Sequence, residues 1–204
     1  MHREQLKILL LQIRDDHKVR AEELESFARY SQLDVNQIDV LNVFDTPSFD
    51  SSVLEGYDAL YVGGASEANV LEPKIYPFVN DCISLIKFAG DTGIPTFASC
   101  FGFQLAVLAF GGEILSKDED YEMGSIPITL TNLATIDPVF SGTPDKFPAL
   151  SIHRQYALEL PAGLDLLAYT SDCLHSFKLR NKPLWAVQFH PEVDRSTVCQ
   201  RLAI

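Results

Sequence analysis

The sequence predicts an α/β fold with a mostly parallel central sheet flanked by helices. Short apolar runs alternate with amphipathic helical patterns through the first half of the chain. This order usually gives right-handed crossovers, which place helices on both faces of one sheet. The second half holds shorter strand-like runs separated by proline and glycine, which favours an antiparallel extension of the same sheet.

The composition is typical of a single packed domain over residues 1–204. The chain is long enough to bury a core without disulfide bonds, and 47% hydrophobic beside 22% charged residues argues against disorder. A net charge of −12 disfavours nucleic acid and anionic membranes as partners. There is no membrane-spanning run or secretory signal, and the four cysteines lack CxxC spacing. We therefore expect a cytoplasmic protein with reduced thiols.

The first half predicts strands and helices in alternation. The predicted strands are residues 8–11, 37–43, 57–62 and 94–99, and the predicted helices are residues 17–32, about 75–90 and 102–110. The first strand is apolar throughout, as expected of a strand covered on both faces. Asp15 and Asp16 supply acidic residues where the first helix begins. Gly63-Gly64 is expected to end the third strand in a turn, and Gly90 to end the second helix.

The second half predicts five shorter strands and no second domain. They are residues 126–131, 149–153, 164–169, 175–179 and 184–189. No repeat or linker separates them from the first half. A helix is expected to begin near Asp194, and because the sequence stops inside it, we expect the natural protein to continue a little further.

Cys100 lies where the fourth strand meets the third helix. Small residues, Ala98 and Gly102, flank it on either side. Such a nucleophile elbow holds a side chain in a strained, exposed position, and the N-terminus of the helix favours a thiolate. The alternative is a buried cysteine that packs as a small hydrophobic residue.

A cysteine nucleophile needs a base, an orienting group and donors for an oxyanion. His190 follows the last strand, and Glu192 can accept a hydrogen bond from its imidazole. The glycine pair Gly63-Gly64 and the N–H of Phe101 can supply oxyanion donors. All of these residues follow predicted strands, and open α/β sheets bind ligands at the carboxyl ends of their strands.

Three motifs in this order resemble the triad glutamine amidotransferases, also called class I amidotransferase domains. They are Gly63-Gly64, C-F-G-F-Q at 100–104 and F-H-P-E at 189–192. The resemblance spans essentially the whole chain and implies a flavodoxin-like fold without a cofactor. It also implies a Cys-His-Glu triad that cleaves the side-chain amide of glutamine through a γ-glutamyl thioester and releases ammonia. Cys100 would be the nucleophile, His190 the base and Glu192 the residue that orients the base.

The same resemblance implies the substrate contacts. Gly64 and Phe101 would supply oxyanion N–H groups, Gln104 would hold the amide end of the substrate, and the segments Glu122-x-Gly124 and Ser151-Ile152-His153 would line the pocket.

Two positions depart from the family pattern. Ala98 replaces the usual glycine two residues before the cysteine, and alanine fits there unless φ is positive. Arg154-Gln155 follows His153 where many relatives carry Gly-Asp, which leaves another γ-glutamyl compound open as the substrate.

Three functions are therefore weighed. The leading hypothesis is a glutamine amidotransferase-type hydrolase; relatives of this stand-alone size resemble the glutaminase part of GMP synthase. The chain contains no P-loop and leaves no room for an ATP-using domain, so a separate synthetase subunit would receive the ammonia, unless the protein is a free-standing hydrolase. The alternatives are a γ-glutamyl peptidase acting on glutathione-like compounds and a non-catalytic regulatory or binding subunit.

No metal site is expected, because the five histidines form no ligand-spaced pair along the sequence. The other cysteines add nothing to the functional prediction. Cys82 lies on the apolar face of its predicted helix and should be structural, and Cys173 and Cys199 lie in no recognisable pattern.

Overall fold

The computed structural model describes residues 2–119 and 121–194. The strands are β1 (Ile8–Ile13), β2 (Ile38–Asn42), β3 (Ala59–Ala65), β4 (Thr96–Ser99), β5 (Leu115–Ser116), β6 (Met123–Leu130), β7 (Lys146–Ile152), β8 (Gln155–Tyr156), β9 (Leu164–Tyr169), β10 (Leu174–Leu179) and β11 (Leu184–Val187). The helices are α1 (His17–Ser31), α2 (Phe78–Thr92) and α3 (Phe101–Ala109). Each predicted strand and helix within these residues is confirmed, with ends that differ by at most three residues. The helix expected near Asp194 lies outside the described residues.

One large sheet organises the fold. Over the described residues it has nine strands in the order β2-β1-β3-β4-β11-β10-β9-β6-β7. Adjacent strands are parallel from β2 through β1, β3 and β4 to β11. The adjacent strands from β11 through β10, β9 and β6 to β7 are antiparallel. The predicted antiparallel extension is therefore confirmed. The short strands β5 and β8, which have no signal in the sequence, pair with each other in a separate small sheet.

The last strand returns to the middle of the sheet. β11 lies beside β4, with Val187 opposite Ser99 in the parallel register. The chain therefore leaves these two strands at the same edge of the sheet. This pairing brings together residues that follow Ser99 and Val187, although they are about ninety positions apart in the sequence.

The core lies on both faces of the sheet. Alternate side chains of β1 point to opposite faces. Ile8 and Leu10 pack in the cluster beneath α1, and Leu9, Leu11 and Ile13 pack in the larger cluster beneath α2 and α3. All six residues of β1 are buried, as predicted from its continuous apolar run. None of the helices in residues 2–119 and 121–194 has the length and apolar character that crossing a bilayer requires.

The prediction that Gly90 ends α2 was wrong. The helix continues to Thr92 and ends at Gly93, which has a left-handed φ of 81°. Gly90 is buried, and a Cβ atom there would lie 2.6 Å from Cζ of Phe110. It is therefore a close-packing glycine, and a helix tolerates one when a neighbouring ring needs the space.

Candidate active site

Cys100 occupies a strained elbow between β4 and α3. Its backbone has φ of 52° and ψ of −102°, in a region that residues with side chains rarely adopt. Its N–H donates to the carbonyl of Val187 on the neighbouring strand at 2.8 Å. Conformations of this kind cost about 1–3 kcal/mol and persist only where the surroundings impose them. The predicted elbow at Cys100 is present, but the expectation of an exposed side chain was wrong, because Cys100 is only 5% exposed.

The strand and the helix approach each other closely around this elbow. A Cβ atom on Gly102 would lie 2.9 Å from the carbonyl oxygen of Val62 and 3.1 Å from Cβ of Ala98. Glycine is therefore required at position 102. Ala98 is an extended residue of β4 and pairs with Val62 and Ala186, so the alanine at this position fits without strain.

His190 and Glu192 form a buried pair at the same edge of the sheet. Nδ1 of His190 lies 2.8 Å from Oε1 of Glu192, and the two residues are 9% and 4% exposed. The hydroxyl of Ser99 donates to the same carboxylate oxygen at 3.2 Å, and the N–H of His190 donates to the carbonyl of Leu150 at 2.8 Å. These contacts fix the imidazole, which lines one cavity with Cys100. Ser99 is an orienting residue that the sequence did not reveal.

The charges around His190 keep its ring protonated. Burial lowers the pKa of the imidazole, but the negative charges of Cys100 and Glu192 outweigh burial and raise the pKa to about 10. Burial also acts against ionisation of Glu192, yet the His190 imidazolium lowers the pKa of that carboxyl. At neutral pH the His190 ring is therefore an imidazolium that pairs with the Glu192 carboxylate.

Arg14 is a site residue that sequence reasoning missed. It directly follows β1 and is buried, and its Nε donates to Oε1 of Glu23 at 2.9 Å. One of its terminal nitrogens donates to the hydroxyl of Ser66 at 2.7 Å. Burial lowers the pKa of the guanidinium, but Glu23 together with the charges of Cys100 and Glu192 raises it. A fixed cation therefore lies close enough to Cys100 and Glu192 to interact electrostatically with both residues. A charged residue directly after a largely apolar strand was the available signal.

Gly63 and Gly64 allow this cation to approach the triad. The prediction that they form a turn was wrong, because β3 runs through both of them. A Cβ atom on Gly63 would lie 2.8 Å from each carboxylate oxygen of Glu23. A Cβ atom on Gly64 would lie 2.7 Å from Nη2 of Arg14 and 3.1 Å from Cε1 of His190. The glycines are therefore needed for close packing, and their role as oxyanion donors stays a prediction.

A cavity of about 720 Å³ opens at this edge of the sheet. Six of the residues predicted for the site line it: Cys100, Phe101, Gln104, Ile152, His153 and His190. Glu192, Gly63, Gly64 and Ser151 are not among the described residues that line it. Arg154 and Gln155, where the sequence departs from the family pattern, also line it. Tyr121 also lines the cavity, and its ring lies under the guanidinium of Arg154 at 5.0 Å.

Two of the predicted substrate contacts, Gln104 and Ile152, already have partners within the protein, and Ser151 does not. The side-chain amide nitrogen of Gln104 donates to the carbonyl of Gln155 at 3.2 Å. The carbonyl oxygen of Ile152 lies 4.0 Å from Sγ of Cys100. Ser151 is fully buried, and its hydroxyl has no hydrogen-bond partner among the described residues. The roles of Gln104 and Ser151 toward a substrate stay predictions.

A second cavity of about 680 Å³ has a different character. It is lined largely by apolar side chains, including Tyr61, Phe97 and Trp185, and Glu192 lies at its edge. Its described lining contains neither cysteine nor histidine. The two cavities are similar in size, so the reactive side chains of the first one identify it as the candidate active site.

The structure also assembles donor atoms that could hold a metal ion. Glu122, His153, Cys173 and His175 each offer one ligand atom, and these atoms all lie within 4.8 Å of one another. The expectation of no metal site was based on spacing along the sequence. Spacing along the sequence could not reveal this cluster, because the fold brings together residues that are far apart in the chain.

Comparison with known protein sequences gives consistent matches. The profile of the family Glutamine amidotransferase class-I matches residues 32–202. The chain is 31% identical over 176 residues to the glutamine-hydrolyzing GMP synthase of Tropheryma whipplei strain Twist, covering 83% of this chain and 32% of that protein. It is 30% identical over 119 residues to one subunit of the glutamine-hydrolyzing GMP synthase of Methanocaldococcus jannaschii, covering 57% of this chain and 61% of that one. The chain thus spans less than two thirds of the length of either relative.

Solved structures give the same fold. A glutamine amidotransferase from Thermotoga maritima superimposes with a TM-score of 0.78, covering 97% of this chain and 81% of that one. At 19% sequence identity, this likeness concerns the fold alone. The family profile extends over most of the sequence, from the residue that follows α1 to beyond His190 and Glu192. The chain therefore belongs to the class I glutamine amidotransferase family.

Proposed function

We propose that this protein hydrolyses the side-chain amide of glutamine through Cys100, His190 and Glu192. The observation that carries the proposal is the imidazole of His190, which is held by Glu192 and lines one cavity with the strained Cys100. A nucleophile, a base and an orienting carboxylate in this order are the components of acyl transfer by a cysteine. The family match supports the same chemistry.

The first half of the reaction forms a thioester. The sulfur of Cys100 attacks the amide carbon, and the carbonyl oxygen becomes an oxyanion, for which the N–H groups of Gly64 and Phe101 are the proposed donors. The C–N bond then breaks, and His190 gives its proton to the departing nitrogen, so that ammonia leaves. A γ-glutamyl thioester remains on Cys100.

The second half returns the enzyme to its starting state. The neutral imidazole of His190 removes a proton from water, and the resulting hydroxide attacks the thioester carbon. The C–S bond breaks, glutamate leaves, and the imidazolium faces the sulfur of Cys100 again. Arg14 interacts with the negative charge on Cys100 at the beginning and the end of this cycle.

The cavity also suits the amino-acid end of the substrate. Its volume lies within the range of about 300–1,000 Å³ that is usual for small-molecule sites. Arg154 offers a cation for the α-carboxylate, and Glu67 and Glu72 offer anions for the α-ammonium group. These groups do not distinguish glutamine from other γ-glutamyl compounds, because both carry the same α-carbon substituents.

A γ-glutamyl peptidase is therefore the second candidate. The observation that favours it is the presence of Arg154 and Gln155 in the cavity wall, where many relatives carry Gly-Asp. The triad would act as before, but the leaving group would be the amine of a second amino acid instead of ammonia.

A separate synthetase subunit is the proposed destination of the ammonia. The match to a protein named as one subunit of a GMP synthase supports this arrangement. Pull-down with this chain followed by an ammonia-transfer assay would test it. An ATP-dependent amination that needs both proteins is the expected result.

The test of the proposed reaction compares two substrates on the full chain and on Cys100→Ala. Glutamine should release ammonia, and Cys100→Ala should abolish the release while keeping the circular dichroism spectrum of the parent. Turnover of a γ-glutamyl dipeptide alone would establish the peptidase instead. No turnover of either substrate, with or without a copurifying partner, would favour the non-catalytic binding subunit.

A further inference from the structure

Four side chains with metal-ligating atoms converge beside the candidate active site. Glu122 directly precedes β6, His153 directly follows β7, Cys173 directly precedes β10, and His175 lies in β10. β6 and β7 pair with each other, and β9 connects them to β10, so the fold brings these strand ends together. The side chains of Glu122, His153 and His175 are 8%, 3% and 0% exposed, and Cys173 is buried as well.

The distances between the donor atoms suit a four-coordinate ion. Oε2 of Glu122 lies 2.7 Å from Nε2 of His175 and 3.1 Å from Nε2 of His153. Sγ of Cys173 lies 3.4 Å from Nε2 of His175 and 3.7 Å from Oε2 of Glu122. Tetrahedral zinc bonds of about 2.0–2.3 Å place their donor atoms about 3.3–3.6 Å apart. The two Sγ separations are close to this spacing, the 2.7 Å pair would have to open by about 0.6 Å, and all four atoms lie within 4.8 Å of one another. Side-chain shifts of up to about 1 Å would therefore place the four atoms around one ion.

The surrounding hydrogen bonds orient two of these side chains as ligands. Nδ1 of His153 lies 3.0 Å from the carbonyl of Gln155, which can only accept, so Nδ1 carries the proton. In the neutral ring this leaves the lone pair of Nε2 directed into the cluster. The hydroxyl of Thr170 donates to Oε1 of Glu122 at 2.7 Å, which leaves Oε2 for the cluster. Histidine ligands that donate their other N–H to a carbonyl are typical of metal sites.

The donor set selects the class of ion. A thiolate and two imidazoles with one carboxylate favour zinc and similar divalent transition metals over magnesium or calcium, which prefer oxygen ligands. Four buried protein ligands leave no open position, which is the arrangement of a structural site.

The position of the cluster connects it to the candidate active site. His153 lines the cavity, and the residue before it, Ile152, has its carbonyl oxygen 4.0 Å from Sγ of Cys100. An ion bound to His153 would therefore fix the cavity wall beside the nucleophile.

We propose that Glu122, His153, Cys173 and His175 bind one zinc-class divalent ion, which holds the wall of the cavity beside Cys100. The proposal is independent of the proposed function, because it needs neither turnover nor a particular substrate. The alternative is that the four side chains form only a network of hydrogen bonds and no ion binds.

The test uses metal-free protein titrated with Co²⁺ and then with Zn²⁺. Cys100→Ser is the background, because Cys100 and His190 form a second thiol–imidazole pair that could bind the same ions; the unmodified chain is measured beside it. We expect one Co²⁺ per chain, a thiolate-to-cobalt charge-transfer band with the visible bands of a tetrahedral ion, and displacement by one equivalent of Zn²⁺. Zn²⁺ should also raise the thermal unfolding midpoint.

Added substitutions assign the ligands. Cys173→Ser in the Cys100→Ser background should remove the charge-transfer band and weaken Co²⁺ binding at least about a hundredfold. Cys82→Ser is the matched control, because Cys82 is a buried thiol on α2 outside the cluster, and it should leave the band unchanged. His175→Gln should weaken binding in the same way and serves as the second variant if Cys173→Ser fails to fold.

Two results would overturn the proposal. One is the absence of stoichiometric Co²⁺ or Zn²⁺ uptake by the folded Cys100→Ser protein. The other is a charge-transfer band that persists unchanged in a folded Cys173→Ser variant.

Discussion

Cys100 and Cys173 each lie beside a histidine and a glutamate, yet their surroundings differ. Cys100 has a strained backbone at the N-terminus of α3, lines a cavity, and interacts with the cations His190 and Arg14. Cys173 directly precedes a strand and lies 3.7 Å from a carboxylate oxygen of Glu122.

The surroundings of Cys173 determine the pKa of its thiol. Burial and the negative charge of Glu122 raise the pKa of Cys173 to about 12, so the metal-free thiol is protonated at neutral pH. We therefore propose nucleophilic catalysis for one set of these three residue types and metal binding for the other. Backbone strain, access to a cavity and the sign of the nearest charges decide between the two roles.

The largest expected effect comes from exchanging the two thiols for alanine. Cys100→Ala should lower ammonia release from glutamine at least about 10⁴-fold, because no covalent intermediate can form. Cys173→Ala should lower it by no more than about tenfold, because this thiol does not touch the reacting atoms. Steady-state kinetics of both variants checks the pair. Equal losses of ammonia release in two folded variants would contradict the different roles proposed for the two thiols.

The second largest effect is expected from replacing the buried Arg14, which should change both stability and kcat. Arg14→Met should destabilise the fold by about 3–5 kcal/mol, because Glu23 is left buried without its partner. The double variant Arg14→Met/Glu23→Leu should recover most of that stability. We expect its kcat to stay low by on the order of tenfold, because the cation that interacts with Cys100 is still missing. Urea unfolding and kinetics on both proteins separate the two effects. Full recovery of kcat in the double variant would reduce Arg14 to a structural role.

The two glycines of β3 should respond differently to an added methyl group. In Gly64→Ala the new Cβ would meet Arg14 and His190, so activity should fall by about tenfold or more. In Gly63→Ala the new Cβ would meet only the end of the Glu23 side chain. We expect the smaller loss of activity there, with a loss of stability instead. A larger kinetic effect of Gly63→Ala would contradict this assignment.

The pH dependence of stability gives the smallest effect. The folded pKa of His190 is raised to about 10 from an ordinary value of 6.5. Its stabilising contribution is therefore complete below pH 6.5 and is lost as the pH rises through about 10. The free energy of unfolding should fall more steeply between pH 8 and 10.5 in the parent than in His190→Gln. Parallel slopes would show that His190 is not held as an imidazolium.

Much of the fold follows from the sequence, and the exceptions have a common cause. The apolar run of β1 and the Cys100 elbow depend on local patterns, which the sequence displays directly. Gly63, Gly64 and Gly90 were misassigned because their neighbours, such as Arg14 and Phe110, are distant in the chain. A glycine in a sequence can mean that the backbone needs an unusual conformation or that another group packs too closely for a side chain. The sequence alone does not distinguish these two reasons.

The candidate site residues that match a motif after a strand could be predicted from the sequence. The residues that meet only through tertiary contacts could not. His190 and Glu192 were found because they follow an apolar strand and match a family motif. Arg14 was missed because a single charged residue after a strand carries no sign of its direction. The metal-ligating cluster was missed because Glu122 and His153 meet only after β6 and β7 have paired.

The measurement that tests the central claim most directly is alkylation of the native protein by iodoacetamide at pH 7, located by peptide mass spectrometry. We expect Cys100 to be modified fastest and glutamine to slow this modification. We expect Cys173 to stay unmodified until the protein is unfolded. Modification of Cys173 at the same rate as Cys100, or a rate at Cys100 no greater than that of a free thiol, would contradict the central claim.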